Sequence, residues 1–217
     1  MSGDRWRYTS HYLTEVFGHQ DEHLAGLMAD AVRAGLPDIA VSADVGRLLA
    51  LLTRTTGARR ALEIGTLGGY SAIWIARALA SDGKLTTIEA VAAHAEFAQA
   101  QFERAGVSDR IDVVQGSALE VLPRLADVFG PESIDFVFID ADKREYPSYW
   151  NAVRRLVAPS GIVVVDNVLG AGSWWIDDEA NDHRAGVDTL NRMVAADPQF
   201  ESVAFPLRQG VLLARRL

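Results

Sequence analysis

Cysteine is absent from this chain of 217 residues, which excludes disulfides, thiolate metal sites and a cysteine nucleophile. Positive charge is also scarce: 21 Lys and Arg stand against 29 Asp and Glu, a net charge of −8. A surface of that sign has no nonspecific grip on nucleic acid or on an anionic membrane, though it leaves room for a local basic pocket. Long apolar runs are missing as well. The longest, such as Ile134–Ile139 and Ile162–Val165, are far too short to cross a bilayer, and the polar Met1–Ser10 lacks the apolar core of a signal peptide. The expectation is a cytoplasmic protein. The histidines His11, His19, His23, His94 and His183 are scattered without ligand spacing and read as structural.

The length suits one domain, residues 1–217, with one substantial core. Five β-rich runs, Ala61–Ile64, Lys84–Ile88, Ile111–Val114, Ile134–Ile139 and Ile162–Val165, alternate with helical patterns. Strands apolar on both faces and separated by amphipathic helices imply an α/β fold with a mostly parallel sheet covered on both sides. The helices are expected over Ser71–Ala80, Ala92–Ala105, Ala118–Val128 and Tyr146–Val157; Pro123 either weakens the third or marks a late start. At the end of the chain, Phe200–Leu207 and Gly210–Leu217 read as two strands around a tight Arg208-Gln209-Gly210 turn. Such a short connection forces antiparallel pairing, unlike the usual dinucleotide-binding sheet. Residues 1–55 look helical and read as a cap or a partner-contacting layer on a 56–217 core.

In a parallel sheet, ligands sit beyond the carboxyl ends of the strands. Gly65, Gly68 and Gly69 follow the first strand there, where a backbone without Cβ turns sharply and lets a ligand approach. Glu89, at the end of the second strand, is placed to accept hydrogen bonds from both hydroxyls of a ribose. The spacing is not that of pyrophosphate binders, and Glu63 would repel a pyrophosphate while welcoming a cationic ligand. The alternative is an ordinary β–α turn with Glu89 a solvated strand end.

Asp140 and the pair Asp166-Asn167 end two further strands on that edge. Two carboxylates and an amide form a hard-oxygen set that favours Mg²⁺, with Mn²⁺ or Ca²⁺ also compatible, over zinc. Lys143 either faces the same pocket or pairs with Asp142 at the surface. Trp174-Trp175, in a glycine-flanked loop, suit a substrate lid or a subunit interface. A nicotinamide-dependent oxidoreductase and a noncatalytic binding module stand as rival readings.

Leu62-Glu63-Ile64-Gly65-Thr66-Leu67-Gly68-Gly69-Tyr70-Ser71, Ile139-Asp140-Ala141-Asp142-Lys143, Asp166-Asn167 and Leu190-Asn191-Arg192 together carry a family likeness. The chain resembles the class I S-adenosylmethionine-dependent O-methyltransferases of the cation-dependent catechol and caffeoyl-CoA type. The resemblance implies a Rossmann-like sandwich with a seven-stranded sheet whose last strand is antiparallel, and frequent homodimers. It implies that Val41, Glu63, Gly65, Thr66, Ser71, Glu89, Ala118 and Asp140 contact S-adenosyl-L-methionine. Asp140, Asp166 and Asn167 would hold a divalent cation, with Lys143 the candidate base beside Asp140. The acceptor implied is a phenolic small molecule, with Lys143, Trp175 and Asn191 toward the substrate. Residues between Asn167 and Asn191 depart most from the family pattern.

Overall fold

The computed structural model describes residues 3–171, 173–174, 178 and 181–217. Three helices, α1 (Gly3–Phe17), α2 (Glu22–Arg33) and α3 (Ala43–Thr56), precede the first strand. Then β1 (Arg60–Ile64), α4 (Tyr70–Ala76), β2 (Lys84–Glu89), α5 (Ala92–Arg104), β3 (Ile111–Gln115), α6 (Ala118–Phe129), β4 (Ile134–Ile139), α7 (Tyr146–Val153) and β5 (Val157–Asp166) alternate. A two-stranded ribbon, β6 (Gly170–Ala171) and β7 (Ser173–Trp174), leads to α8 (Asp182–Ala195), β8 (Phe200–Phe205) and β9 (Val211–Arg216).

The main sheet has seven strands in the order β3-β2-β1-β4-β5-β9-β8. The first five are mutually parallel, and β9 lies antiparallel between β5 and β8. The period-2 alternation of a strand sends successive side chains to opposite faces. Val137 and Ile139 accordingly join Trp150, Val153, Val187 and Leu190 on one side, under α7 and α8. Phe136 and Phe138 join Leu27, Leu49, Ile73 and Phe102 on the other, under α2 to α5. The N-terminal helices thus share a core with the sheet. Among the described residues, no helix is long and apolar enough to cross a membrane.

Two helices are shorter than their patterns predict. After Ala76 the chain leaves α4 because the Ala80 amide donates to the Ala58 carbonyl at 2.9 Å, tying the turn to the foot of β1. After Val153 the chain turns into β5, and Val157 pairs with Ile134 instead of ending a helix. Pro159-Ser160-Gly161 is an irregularity inside that strand: pairing shifts between Ile134 and Phe136, and Ser160 takes φ +66°. Pro123 lies within α6 without breaking it. The carbonyl its missing N–H would have reached belongs to Leu119, an exposed residue in the first turn of the helix.

Trp150 is 1% exposed and meets the Phe200 ring edge-on, with centroids 4.7 Å apart. Trp150→Ala should therefore cost roughly 3–5 kcal/mol. Thermal melts should show Tm falling by roughly 6–20 °C for a chain of this size.

Candidate active site

Five residues after the start of β1, the backbone enters a turn that only glycine fits. Gly65 has φ +98°, and a Cβ there would lie 2.1 Å from the Asp140 carbonyl oxygen. The Asp140 amide in turn donates to Ile64 O at 2.9 Å, so the ends of β1 and β4 are in backbone contact. Gly69 has φ +84°, with the Phe102 ring 2.5 Å from where a Cβ would stand. The turn between them is held from β2. Glu89 Oε2 accepts from the Thr66 and Leu67 amides at 3.1 and 2.8 Å, and Oε1 accepts from the Val91 amide at 2.9 Å. Glu89 is therefore a buried clamp on the glycine turn, not a solvated strand end. With three of its roughly four acceptor positions used, it keeps limited capacity for a ribose hydroxyl.

Glu63 is wholly buried beneath this turn. Thr87 Oγ1 donates to its Oε2 at 2.6 Å, and that leaves the Thr66 hydroxyl as donor in the 2.6 Å contact with Thr87. Glu63 Oε1 has no partner among the described residues. Burial pushes its carboxyl up to about 8, opposed by hydrogen bonds from Ser71 and Thr87 and reinforced by Asp140 and Glu89.

Two cavities open at this edge. One, of about 450 Å³, is lined by Val41, Gly65, Thr66, Ser71, Asp140, Lys143, Asn167 and Arg208, among others. The second, of about 410 Å³, is lined by Glu89, His94, Ala118 and Asp142, and shares Ile39, Gly65, Leu67, Asp140 and Ala141 with the first. Glu63 lines neither; it underlies Ser71.

The register of β4 on β5 pairs Ile139 with Val165, so Asp140 and Asp166 are the next residues on adjoining strands. Asp166 is almost wholly buried, and the only hydrogen-bond donor to its carboxylate among the described residues is the Asn167 amide, at 2.9 Å. Burial, then repulsion from Asp140, pushes Asp166 up to about 7; Arg208, the Asn167 amide and Lys143 act in the opposite direction. Asn167 takes φ +58°, a left-handed conformation that asparagine tolerates better than most residues. Two juxtaposed carboxylates, the buried one without an ion pair among the described residues, with an amide beside them, suit a hard divalent cation. Among the described residues there is no group of three or more His, Asp or Glu side chains fit to hold a metal, so the candidate set is these two carboxylates and the amide.

Lys143 lies in the pocket. Its Nζ donates to Asp140 Oδ1 at 2.7 Å, and its side chain is 15% exposed. The surface pairing with Asp142 does not occur, because Arg144 occupies that carboxylate and holds it down at about 2. Asn191, expected toward the substrate, lines neither cavity. Its Nδ2 donates to Val168 O at 3.0 Å, supporting the segment just after Asn167 from α8. Trp175 lies outside the described residues.

Two contributors escape a reading of the sequence. His94 sits in the second cavity with Nδ1 3.5 Å from Glu89 Oε1; its place four residues into the segment after β2 was the available signal. Arg208 reaches the first cavity from the β8–β9 turn, which is distant in sequence from every motif.

Comparison with known proteins fits this geometry. A family model described as O-methyltransferase matches residues 14–217. A catechol O-methyltransferase from Mycobacterium tuberculosis (strain ATCC 25618 / H37Rv) is 42% identical over 193 residues, covering 89% of this chain and 86% of its own. Caffeoyl-CoA O-methyltransferase 1 of Eucalyptus globulus is 32% identical over 210 residues, covering 94% and 85%. The crystal structure of an O-methyltransferase from Bacillus cereus in complex with SAH superposes with a TM-score of 0.88, at 36% identity and 99% coverage of both chains.

A carboxyl raised above its unfolded value stabilises the fold fully at pH below about 4.5, and that contribution is lost as pH rises toward about 8. Glu63→Gln removes this titration. Melting curves of the ligand-free protein should show the variant gaining Tm relative to the parent as pH goes from 5 to 8.5. A constant Tm difference across that range would refute the burial argument.

Proposed function

The chain belongs to the O-methyltransferase family, and from that premise we propose that it moves the methyl group of S-adenosyl-L-methionine, with a divalent cation, to one hydroxyl of a catechol-like or other vicinal-dihydroxy phenol. The acceptor is a small molecule, free or as a CoA thioester. Membership of that family sets aside the nicotinamide oxidoreductase and the noncatalytic module. The observation that carries the proposal is that Asp140, Lys143 and Asn167 share one cavity with the glycine turn, with Asp166 on the adjoining strand end.

When bound, the donor supplies an electrophilic methyl on a sulfonium, and the cation, Mg²⁺ before Mn²⁺ or Ca²⁺, supplies charge that stabilises a phenolate. Val41, Gly65, Thr66 and Ser71 would line the donor's amino-acid side, with Glu63 buried beneath Ser71 and out of direct reach of the cavity. Glu89 and Ala118 line the nucleoside side, and Asp140 stands between the two. Asp140, Asp166 and Asn167 are the residues that would hold the cation. A phenol with a pKa of about 10 is ionised only to about one part in a thousand at pH 7, so the acceptor proton must be removed. Lys143 pairs with Asp140 as an ammonium; in its neutral amine form, which a nearby dication would favour, it would be the group in the cavity to accept that proton. Fixing both hydroxyls against the donor would supply orientation for in-line displacement.

The same reading gives a cytoplasmic homodimer with residues 1–55 as a cap on one methyltransferase domain. Tyr8, Tyr12, Val16 and Phe17 leave an exposed apolar face on α1 that suits a second copy.

Incubation with catechols and aryl thioesters, donor and Mg²⁺, followed by mass spectrometry, should show a gain of one methyl group. Excess chelator or Asp166→Ala should abolish it while calorimetric donor binding stays largely intact; full turnover in chelator would defeat the cation's role. Lys143→Ala should lower kcat by roughly 10²–10⁴-fold. An unchanged rate would demote that lysine to a structural partner of Asp140.

A further inference from the structure

Among the described residues, Arg208 is a cation with no ion pair or hydrogen bond of its side chain, in a cavity where Lys143 is already paired. Lys143 is bound to Asp140, whereas the Arg208 side chain makes no ion pair or hydrogen bond among the described residues. It is half-buried, lines the same cavity as Lys143 and Asn167, and is near enough for its charge to act on Asp166.

The turn that carries it is hydrogen-bonded to a neighbouring segment and strained. Arg208 takes φ +49°, a left-handed conformation in which a side chain is unfavourable and glycine is at ease. The turn is pinned to the segment following Asn167: the Val168 amide donates to Gly210 O at 3.0 Å and the Leu169 amide to Gln209 O at 2.7 Å. A guanidinium is thereby delivered to the rim of the site from a fixed base. Its planar fork of donors matches a carboxylate in two parallel hydrogen bonds.

Resting on the reading of the acceptor as a vicinal-dihydroxy phenol, we infer that Arg208 recognises a carboxylate borne by that acceptor. The substrate class is then the dihydroxy aromatic acids. Arg208 and Lys143 line the same cavity of about 450 Å³, which favours an anion close to the reacting hydroxyl. A carboxylate on the ring or on a short side chain satisfies that limit; the phosphates of a CoA thioester, many bonds away, do not.

The test compares 3,4-dihydroxybenzoate, its neutral methyl ester and a caffeoyl thioester of CoA as acceptors for the parent, Arg208→Gly and Arg208→Lys. The parent should prefer the acid. In Arg208→Gly the acid-to-ester ratio of kcat/KM should fall by about 10–100-fold, as expected for a charge-assisted contact. Arg208→Lys should recover part of the ratio, and the KM for the methyl donor should stay level. Tm of Arg208→Gly should match or exceed the parent's, since glycine relieves the backbone. A ratio within twofold of the parent's, a parallel rise in donor KM, or a preference for the ester or the thioester would overturn the inference. Should no acceptor be methylated by the parent, the methyl-transfer reading of these phenols fails, and calorimetric binding of 3,4-dihydroxybenzoate decides the role of Arg208 by itself. Binding weakened tenfold or more in Arg208→Gly upholds it, and equal or absent binding overturns it.

Discussion

Backbone contact between Gly65 and Asp140 fixes the distance between the two halves of the site. A Cβ at Gly65 would occupy the place of the Asp140 carbonyl, so the end of β1 can approach the end of β4 only with glycine there. Asp140 consequently stands in the wall common to both cavities. The parallel register of β4 on β5 then brings Asp166 and Asn167 alongside it. Donor-side and acceptor-side residues come from different strands, yet their separation is set by main-chain packing and not by flexible side chains.

That rigidity holds charges in unfavourable surroundings. Glu63 and Asp166 are buried carboxyls raised to about 8 and about 7, each worsened by the negative charge of Asp140. Among the described residues neither makes an ion pair. A cationic ligand over Glu63 and a cation beside Asp166 would each relieve part of the desolvation cost. The apolar layers on the two faces of the sheet hold the edge in place while these groups remain unsatisfied, as a fold of ordinary marginal stability must.

The sheet was legible from the sequence because both of its faces are buried: uninterrupted runs such as Phe136-Val137-Phe138-Ile139 have few other uses. The terminal hairpin was legible because a short turn admits only antiparallel pairing. Helix ends were less so. The termination of α4 depends on a hydrogen bond to Ala58, and the bulge of β5 depends on its pairing with β4, neither of which is local. Strand-end position anticipated that Asp140, Asp166 and Glu89 lie along one edge of the sheet. It did not reveal that Glu89 spends its oxygens on the glycine turn, that Asn191 supports Val168, or that Arg208 arrives from the far end of the chain. Those roles follow from which elements touch, information a linear pattern carries only weakly.

The connection between α2 and α3 has the widest reach. Pro37 and Ile39 line the cavity that holds Glu89 and His94, while Asp38, Ile39, Ala40 and Val41 line the one that holds Lys143 and Arg208. The N-terminal layer therefore walls both cavities as well as packing on the sheet. Cleavage or fusion upstream of Ala43 would reshape that wall, so that anything grasping those leading helices gains a hand on both chambers without touching the strand ends.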